Sequence, residues 1–540
     1  MDDRPISQKP QTGYKLLGTD ISFSFIAPTK LQLHPATPMD NLTVLLLVAL
    51  SIAWIFIHAF KSFRLNSNPA NPLPPGPPRL PLLGNLPHLR GGSPYQNLSA
   101  LAKTYGPVMS LKLGTLTTVV FSTADAAREA LSKHDALLSD RVTRHVSKVL
   151  DHNKVSLILS PVSDRWRNLR KILTLQMFVT QRLNAGEDLR LKRVQQLREH
   201  LQESCSGGAS VDVSGAVFTT LLNMTSNALF SVDLAGYGSE ESREFERIIF
   251  GVMEESASPN VADFFPVLRW MDPHGRQKKV RMHFEKFMGV LDEIINQRRE
   301  ERGNSMGNNT MNDVADALLD PKLEKDCGIS LNDIRHLFMD VFLAGIDTCS
   351  SMLEWAMAEL LHNPEKLAKA RAELQEVLGK EGQIQESNIS KLPYLQAVVK
   401  ETLRLHPPGP LLLPHKAKAN VEIYGFEVPK NAQILVNVWA INRDPNSWSN
   451  PNSFSPERFL ESKIDYRGQN FEFLPFGSGR RMCPGLPLAH RMMHMILATF
   501  LYFDWKLDEG MKPQDMDMNE RNRVTLLRRA QRLRAVPIKG

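Results

Sequence analysis

The stretch FLPFGSGRRMCPG, residues 473–485, sets one thiol, Cys483, among three glycines, two prolines and two arginines. The other cysteines are Cys205, Cys327 and Cys349, widely spaced and without a CxxC pair. That argues against a disulfide framework and a tetrahedral zinc site, and for a reducing compartment. Gly477, Gly479 and Gly485 allow tight turns and close backbone approach. Pro484 suits the first turn of a helix, and GLPLAHRMMHMILATFLYF continues in helical pattern. Cys483 therefore stands at a helix N-terminus, where free N–H groups and the helix dipole favour a thiolate.

Such a sulfur has three readings. A nucleophile wants a general base at hand, and His490, seven residues on, has no obvious base role. A buried thiol in a turn before a core helix is the plain alternative, but it leaves the density of special residues unexplained. A proximal ligand of haem iron wants one thiolate, shielded from water, with backbone N–H groups aimed at it. The arginines would then meet the two haem propionates.

The remaining composition is that of a globular protein: 42% hydrophobic and 23% charged over 540 residues. The formal charge of +7 suits an acidic membrane face or an acidic protein partner. No dense basic tract carries interleaved aromatics, so nucleic acid is not an expected partner. Residues 42–60, LTVLLLVALSIAWIFIHAF, carry no charge. As a helix they span about 28 Å, close to a bilayer core of about 30 Å, which predicts a transmembrane anchor. Lys61 and Arg64 follow, placing the bulk of the chain on the cytosolic side. Residues 1–38 are expected to be a disordered or non-native extension, because Met39-Asp40-Asn41 makes a natural start. The anchor then spans 39–60, a proline-rich hinge 61–94, and a single catalytic domain 95–540.

That domain reads as mainly α with a minor β region. Amphipathic windows fill 185–205, 215–235, 276–302, 331–362, 363–379 and 391–405, and β-like runs occur at 107–122 and 421–438. The longest helix, 331–362, has Ser330 as cap and Asp333 three residues on, and would run roughly 48 Å. In its middle is AGIDTC, residues 344–349. An interior glycine costs about 1 kcal/mol against alanine, and Asp347 and Thr348 are also poor helix formers. Close helix packing at Ala344-Gly345 and a local opening beside a ligand account for this equally well.

Residues 476–485 match FxxGxRxCxG, the haem signature of cytochromes P450, at Phe476, Gly479, Arg481, Cys483 and Gly485. AGIDT resembles the family's oxygen-activation motif. ETLR gives the ExxR pair Glu401 and Arg404, and PERF supplies Arg458. WRNLR supplies Trp166 and Arg170, PLLLPHK supplies His415, and LPPGPPRLPLLGNL resembles the microsomal hinge. SSMLEWAMAELLHNPEKL and LPFGSGRRMCPGLPLAHRM resemble plant microsomal members of the geraniol hydroxylase type, a likeness covering roughly residues 39–540.

The resemblance implies a cytochrome P450 fold, mainly α with a minor β region and an N-terminal transmembrane anchor helix in the endoplasmic reticulum membrane. It implies haem b, with Cys483 on the iron. Trp166, Arg170, Ala344, Gly345, His415, Phe476, Arg481 and Gly485 would contact the cofactor. Thr348 would order oxygen, Asp347 would relay protons, and Glu401, Arg404 and Arg458 would be structural. Cys349 departs from the frequent Thr or Ser, removing a second hydroxyl. Asn522-Arg523 departs from the usual Phe-Gly. Pocket segments would be 141–151, 254–263, 338–348, 409–413 and 523–526. With no flavin or NADPH motif, electrons would come from NADPH–cytochrome P450 reductase, docking at Arg165, Arg167 and Lys171. The implied reaction is monooxygenation by O2 of a small lipophilic plant metabolite, a terpenoid first, an alkaloid or phenolic second. A haem-thiolate isomerase or dehydratase would not need Thr348, and a haem carrier or membrane scaffold would leave Asp347-Thr348 without purpose.

Overall fold

The computed structural model describes residues 43, 45–51, 53–54, 72–304, 313–320, 325, 327–379, 382, 384–507, 510–521 and 526–539. The chain divides into two units, Met1–Ser67 and Asn68–Gly540. In the first, residues 43, 45–51 and 53–54 are helical and exposed. The expected extension 1–38 and most of the expected anchor 39–60 lie outside the described residues. Among the described residues no helix is long and apolar enough to cross a membrane.

The second unit is mainly helical. We label α1 (Asp164–Leu173), α2 (Glu187–Gly207), α3 (Val213–Phe230), α4 (Glu240–Ala257), α5 (Arg276–Asn304), α6 (Leu331–His362), α7 (Pro364–Leu378), α8 (Pro393–Leu405) and α9 (Leu486–Leu501). Six of them, α2, α3 and α5 to α8, fall on the amphipathic windows of the sequence. The one clear difference is α3, which stops at Phe230 instead of 235. Ser231 turns into a left-handed conformation (φ 58°). The side chains of Asn223, Ser226 and Asn227 then bond the backbone of Val232, Leu234 and Ala235, replacing the helical bonds.

Helix α6 is the axis of the core. Ser330 and Asp333 form the expected capping box. Apolar residues line most of its circumference, and α3, α5, α8 and α9 pack against it. α3 is buried nearly all round. The sheet has strands β1 (Val108–Leu113), β2 (Leu116–Phe121), β3 (Asp140–Arg141), β4 (His415–Lys416) and β5 (Gln433–Val436), in the order β1-β2-β5-β4-β3. β2 and β5 run parallel, and the other pairs antiparallel. The pairing of β3 with β4 sets Arg141 opposite His415.

The proline-rich stretch, from Pro72 on, is part of this unit. Ser110 donates its N–H to the Pro75 carbonyl (2.8 Å) and its hydroxyl to that of Pro74 (2.6 Å). Asn85 donates to the Pro77 and Pro78 carbonyls. A Cβ on Gly76 would stand 1.9 Å from the Ser110 carbonyl oxygen, so only glycine fits that crossing.

Glu401 and Arg404 are fully buried on α8. Arg404 donates Nε to Glu401 Oε2 (2.7 Å) and Nη2 to Oε1 (2.8 Å), and Nη1 reaches the carbonyls of Asn442 and Pro451. Arg458 Nε donates to Glu401 Oε1 (3.0 Å), as does the Ser455 N–H (2.8 Å). The network pins residues 442–458 to α8. Trp448 from that pinned segment and Phe459 just after it pack on Phe473, where the cysteine loop begins. Removing one partner of a buried pair leaves the other charge uncompensated, at a cost of about 3–5 kcal/mol. Glu401→Ala and Arg404→Ala should each lose stability on that scale in urea unfolding. Arg458→Ala, which removes the less buried partner, should lose less; equal losses would show that Arg458 is as deeply committed.

Candidate functional site

The cysteine loop is shaped by glycines where no other residue fits. Gly477 and Gly479 have φ of 70° and 69°, and a Cβ on Gly479 would lie 2.2 Å from the Leu131 carbonyl oxygen. The Cys483 N–H closes onto the Phe476 carbonyl (3.0 Å), and α9 begins three residues later. The N–H groups of Gly485 and Leu486 point at the sulfur, as a helix N-terminus provides. Burial nevertheless pushes the Cys483 thiol up from its ordinary value, against the pull of those N–H groups and of Arg170. The thiolate expected from the helix terminus alone is therefore not favoured, because desolvation of the anion outweighs the dipole. A thiolate here asks for a further cation beside it.

Facing the loop, Ala344, Thr348, Cys349 and Met352 of α6 form the opposite wall of a cavity of about 250 Å³. α6 runs through AGIDTC unbroken. The Thr348 hydroxyl donates to the Ala344 carbonyl (2.6 Å), one turn back. A Cβ on Gly345 would meet nothing within 4 Å, so close packing does not explain the glycine, and the helix is not opened either. The Cys349 thiol, buried, is pushed up to about 12 and stays neutral.

Three arginines and a histidine line the cavity. Arg141 donates to the carbonyls of Leu413 (2.6 Å) and Ile158 (3.2 Å). Arg170 donates to that of Met482 (2.6 Å). Arg481 donates to Ser139 (2.9 Å), Leu157 (3.2 Å) and Ser160 carbonyls. None of the three forms an ion pair with a carboxylate among the described residues. Burial lowers all three, Arg481 to about 10. His415 is bonded through Nδ1 to the Leu138 carbonyl (2.9 Å), and burial and Arg141 hold it neutral, leaving Nε2 toward the cavity wall. Buried and half-buried cations without carboxylate partners among the described residues, lining one cavity with a thiol, match what an iron porphyrin requires: a cation for the sulfur and two carboxylates for the arginines.

Of the residues expected at the cofactor, Arg170, Ala344, His415, Phe476, Arg481 and Cys483 line this cavity together with Thr348. Trp166, Gly345 and Gly485 do not. Trp166 lies behind the wall, its ring under Arg481 (4.5 Å) and Arg170 (5.5 Å) and its Nε1 on the Leu157 carbonyl. Gly345 faces open space, and Gly485 contributes its N–H to the sulfur. Arg141 was legible only as the start of a pocket segment; nothing in its sequence context marks it as a cavity cation, since strand pairing brings it there.

Asp347 also lies off the cavity. Its Oδ1 is paired with Arg528, whose guanidinium lies 4.1 Å from the Phe250 ring centroid. Its Oδ2 is buried without a hydrogen-bond partner among the described residues. Burial lifts the carboxyl to about 6 although Arg528 opposes the shift. Arg528, unforeseen in the sequence, belongs to a C-terminal segment tied to one face of α6. Ser351 Oγ donates to the Leu527 carbonyl, and the Leu533 N–H to Glu354 Oε1 (2.8 Å).

A second cavity, about 240 Å³ and largely apolar, shares Arg141, Ala344 and Thr348 with the first. The expected pocket segments meet there through Val146, Ser256, Leu343, Leu412 and Leu526. Arg523 lies outside the described residues. Val280 and Phe284 of α5, not foreseen, complete the wall, with His152. On α1, Arg165 is paired with Asp333 and Arg167 with Asp164, while Lys171 is exposed.

Residues 74–534 match the family described as Cytochrome P450. "Cytochrome P450 76T24" of Catharanthus roseus is 49% identical over 93% of this chain and 100% of its own length. "Cytochrome P450 76AD1" of Beta vulgaris is 45% identical over 93% and 99%. "Geraniol 8-hydroxylase" of Swertia mussotii is 44% identical over 91% and 98%. A match of this extent, on a chain whose one framed thiol shares a cavity with an unbroken helix and with arginines that pair with no carboxylate among the described residues, places it in the cytochrome P450 family, as a monooxygenase of the plant type.

Proposed function

We propose that this monooxygenase hydroxylates a C–H bond of a small terpenoid, drawing electrons from NADPH–cytochrome P450 reductase, with a single-pass anchor at 39–60 in the endoplasmic reticulum membrane. The observation that carries the reading is the apolar chamber opening onto Ala344 and Thr348 beside the cysteine cavity. Full-length relatives named as geraniol 8-hydroxylases support the terpenoid class. The uncharged run 42–60 supports the anchor.

Cys483 Sγ would bind the iron of haem b, its charge met by the metal and by the N–H groups of Gly485 and Leu486. Arg141, Arg170, Arg481 and His415 would hold the propionates. Bound there, haem supplies O2 activation, with the thiolate's electron donation favouring O–O cleavage. The chamber side chains exclude water and orient the substrate. Thr348 carries the hydroxyl that α6 brings to the cavity and can release the Ala344 carbonyl to hand a proton inward. Asp347, one residue back and poised at about 6, exchanges that proton, with Arg528 setting its charge. Cys349 is a poor stand-in for a second hydroxyl, because a thiol is only a weak hydrogen-bond donor. The exposed Lys171 is the α1 cation best placed to meet an acidic reductase, since Arg165 and Arg167 already have carboxylates.

Three outcomes test this. Cys483→Ser should abolish the long-wavelength band of the reduced carbon monoxide complex together with turnover; an unchanged band would refute the ligand. Thr348→Ala should keep the band but lower product formed per NADPH, by up to about 100-fold, with peroxide making up the difference. Since Arg528 holds the Asp347 carboxyl down against burial, Arg528→Gln should move it above about 6. Whichever limb of the pH profile of coupled turnover Asp347→Asn abolishes should then shift to higher pH; an unmoved limb would remove Asp347 from proton delivery. Direct assay of geraniol and related terpenoids with the reductase, in membranes, tests the substrate class.

A further inference from the structure

The chamber adjoins a third cavity of about 850 Å³, placed to serve as its mouth. The two share Val142, Arg144, Ala257, Leu412 and Pro414, so the neck between them carries one charged side chain, Arg144. Among the described residues its only hydrogen bond runs from Nη1 to the Ser256 carbonyl (2.7 Å), and it forms no ion pair. Asp263 is the carboxylate whose charge acts on it, from beyond ion-pair distance, and its Oδ1 takes the His145 N–H (2.6 Å). The mouth beyond adds Arg90, Arg269, Arg276 and Arg521 against Glu254 and Asp263, with Arg276 paired to Glu255. Glu254 is paired with Arg521. The field at the entrance therefore draws anions. Inside the chamber the one carboxylate, Asp340, is filled by the Ser156 hydroxyl, the Leu157 N–H and His152. It offers nothing to an amine.

We infer that Arg144 is a specificity-determining residue, and that the preferred substrate is a lipophilic carboxylic acid whose carboxylate is held at the neck while its apolar body fills the chamber. This rests on the chamber being the substrate site, and narrows the terpenoid reading to acids. A carboxylate there gains charge-assisted bonds from guanidinium N–H groups that now face open space. A neutral ester or alcohol of the same skeleton gains only ordinary ones.

Equilibrium dialysis of the anchored holoenzyme against geranic acid, methyl geranate and geraniol at neutral pH tests this. The acid should bind about 10- to 100-fold more tightly than its ester, the span of one charge-assisted contact. Arg144→Met should remove most of that preference and change ester binding less than about twofold, and Arg144→Lys should keep part of it. The carbon monoxide band reports whether each variant holds its haem. Should Arg144→Met fail to fold, the wild-type acid-to-ester ratio and the lysine variant decide. An acid bound no more tightly than its ester, absence of binding by all three included, overturns the inference, as does an equal loss of acid and ester in Arg144→Met. Geraniol turnover is scored separately. Hydroxylation of geraniol without acid preference sinks the role of Arg144 and leaves the terpenoid reading standing; Arg144-dependent acid preference with neither geraniol nor geranic acid hydroxylated does the reverse.

Discussion

Everything about the cofactor cavity follows from charge that the protein alone does not balance. Arg141, Arg170 and Arg481 are buried to different degrees, with backbone carbonyls and the Trp166 ring but no carboxylate as partners among the described residues, and the Cys483 thiol is pushed up by the same burial. Burying three cations costs free energy unless anions join them, and burying a thiolate costs free energy unless a cation does. One dianionic, iron-bearing ligand answers both demands at once. The polar wall is thus complementary to what it binds rather than to itself. A change that supplied any of these arginines with a protein carboxylate would stabilise the empty fold and weaken the cofactor's hold.

The fold keeps that imbalance in place with networks that are themselves complete. Glu401, Arg404 and Arg458 satisfy one another and the surrounding carbonyls, and they fix the segment on which Phe473 rests. Gly479 meets the backbone at Leu131 so closely that the loop has one path. The strand pairing of Arg141 with His415 holds two members of the wall in register. Satisfied groups surround unsatisfied ones, and that contrast separates scaffold from site.

The sequence made the helices, the hairpin and the cysteine loop legible, because periodicity, capping and glycine punctuation are local. The capping box at Ser330 is visible from two residues. The ExxR pair is visible as a helix face, although its burial is not. What stayed hidden depends on contacts distant in sequence. Arg141 reaches the cavity through a two-residue strand paired some 270 positions away. Arg528 meets Asp347 across 181 positions. The AGIDTC anomaly was seen, yet its meaning was not: the helix stays whole and Gly345 faces space. The helix terminus at Cys483 was read correctly, and its effect on the thiol was not, since burial cannot be counted along a chain.

The C-terminal segment holds α6 at Asp347, Ser351 and Glu354, positions that follow one another along a single helix face. Residues some 180 positions further along the chain therefore complete the surroundings of a carboxylate in the middle of the fold. Before they are made, Asp347 lacks the counter-charge of Arg528. Closing so long a loop carries an entropic cost, so this side of the site depends on contacts slower to form than the capping and periodicity that shape the helix itself.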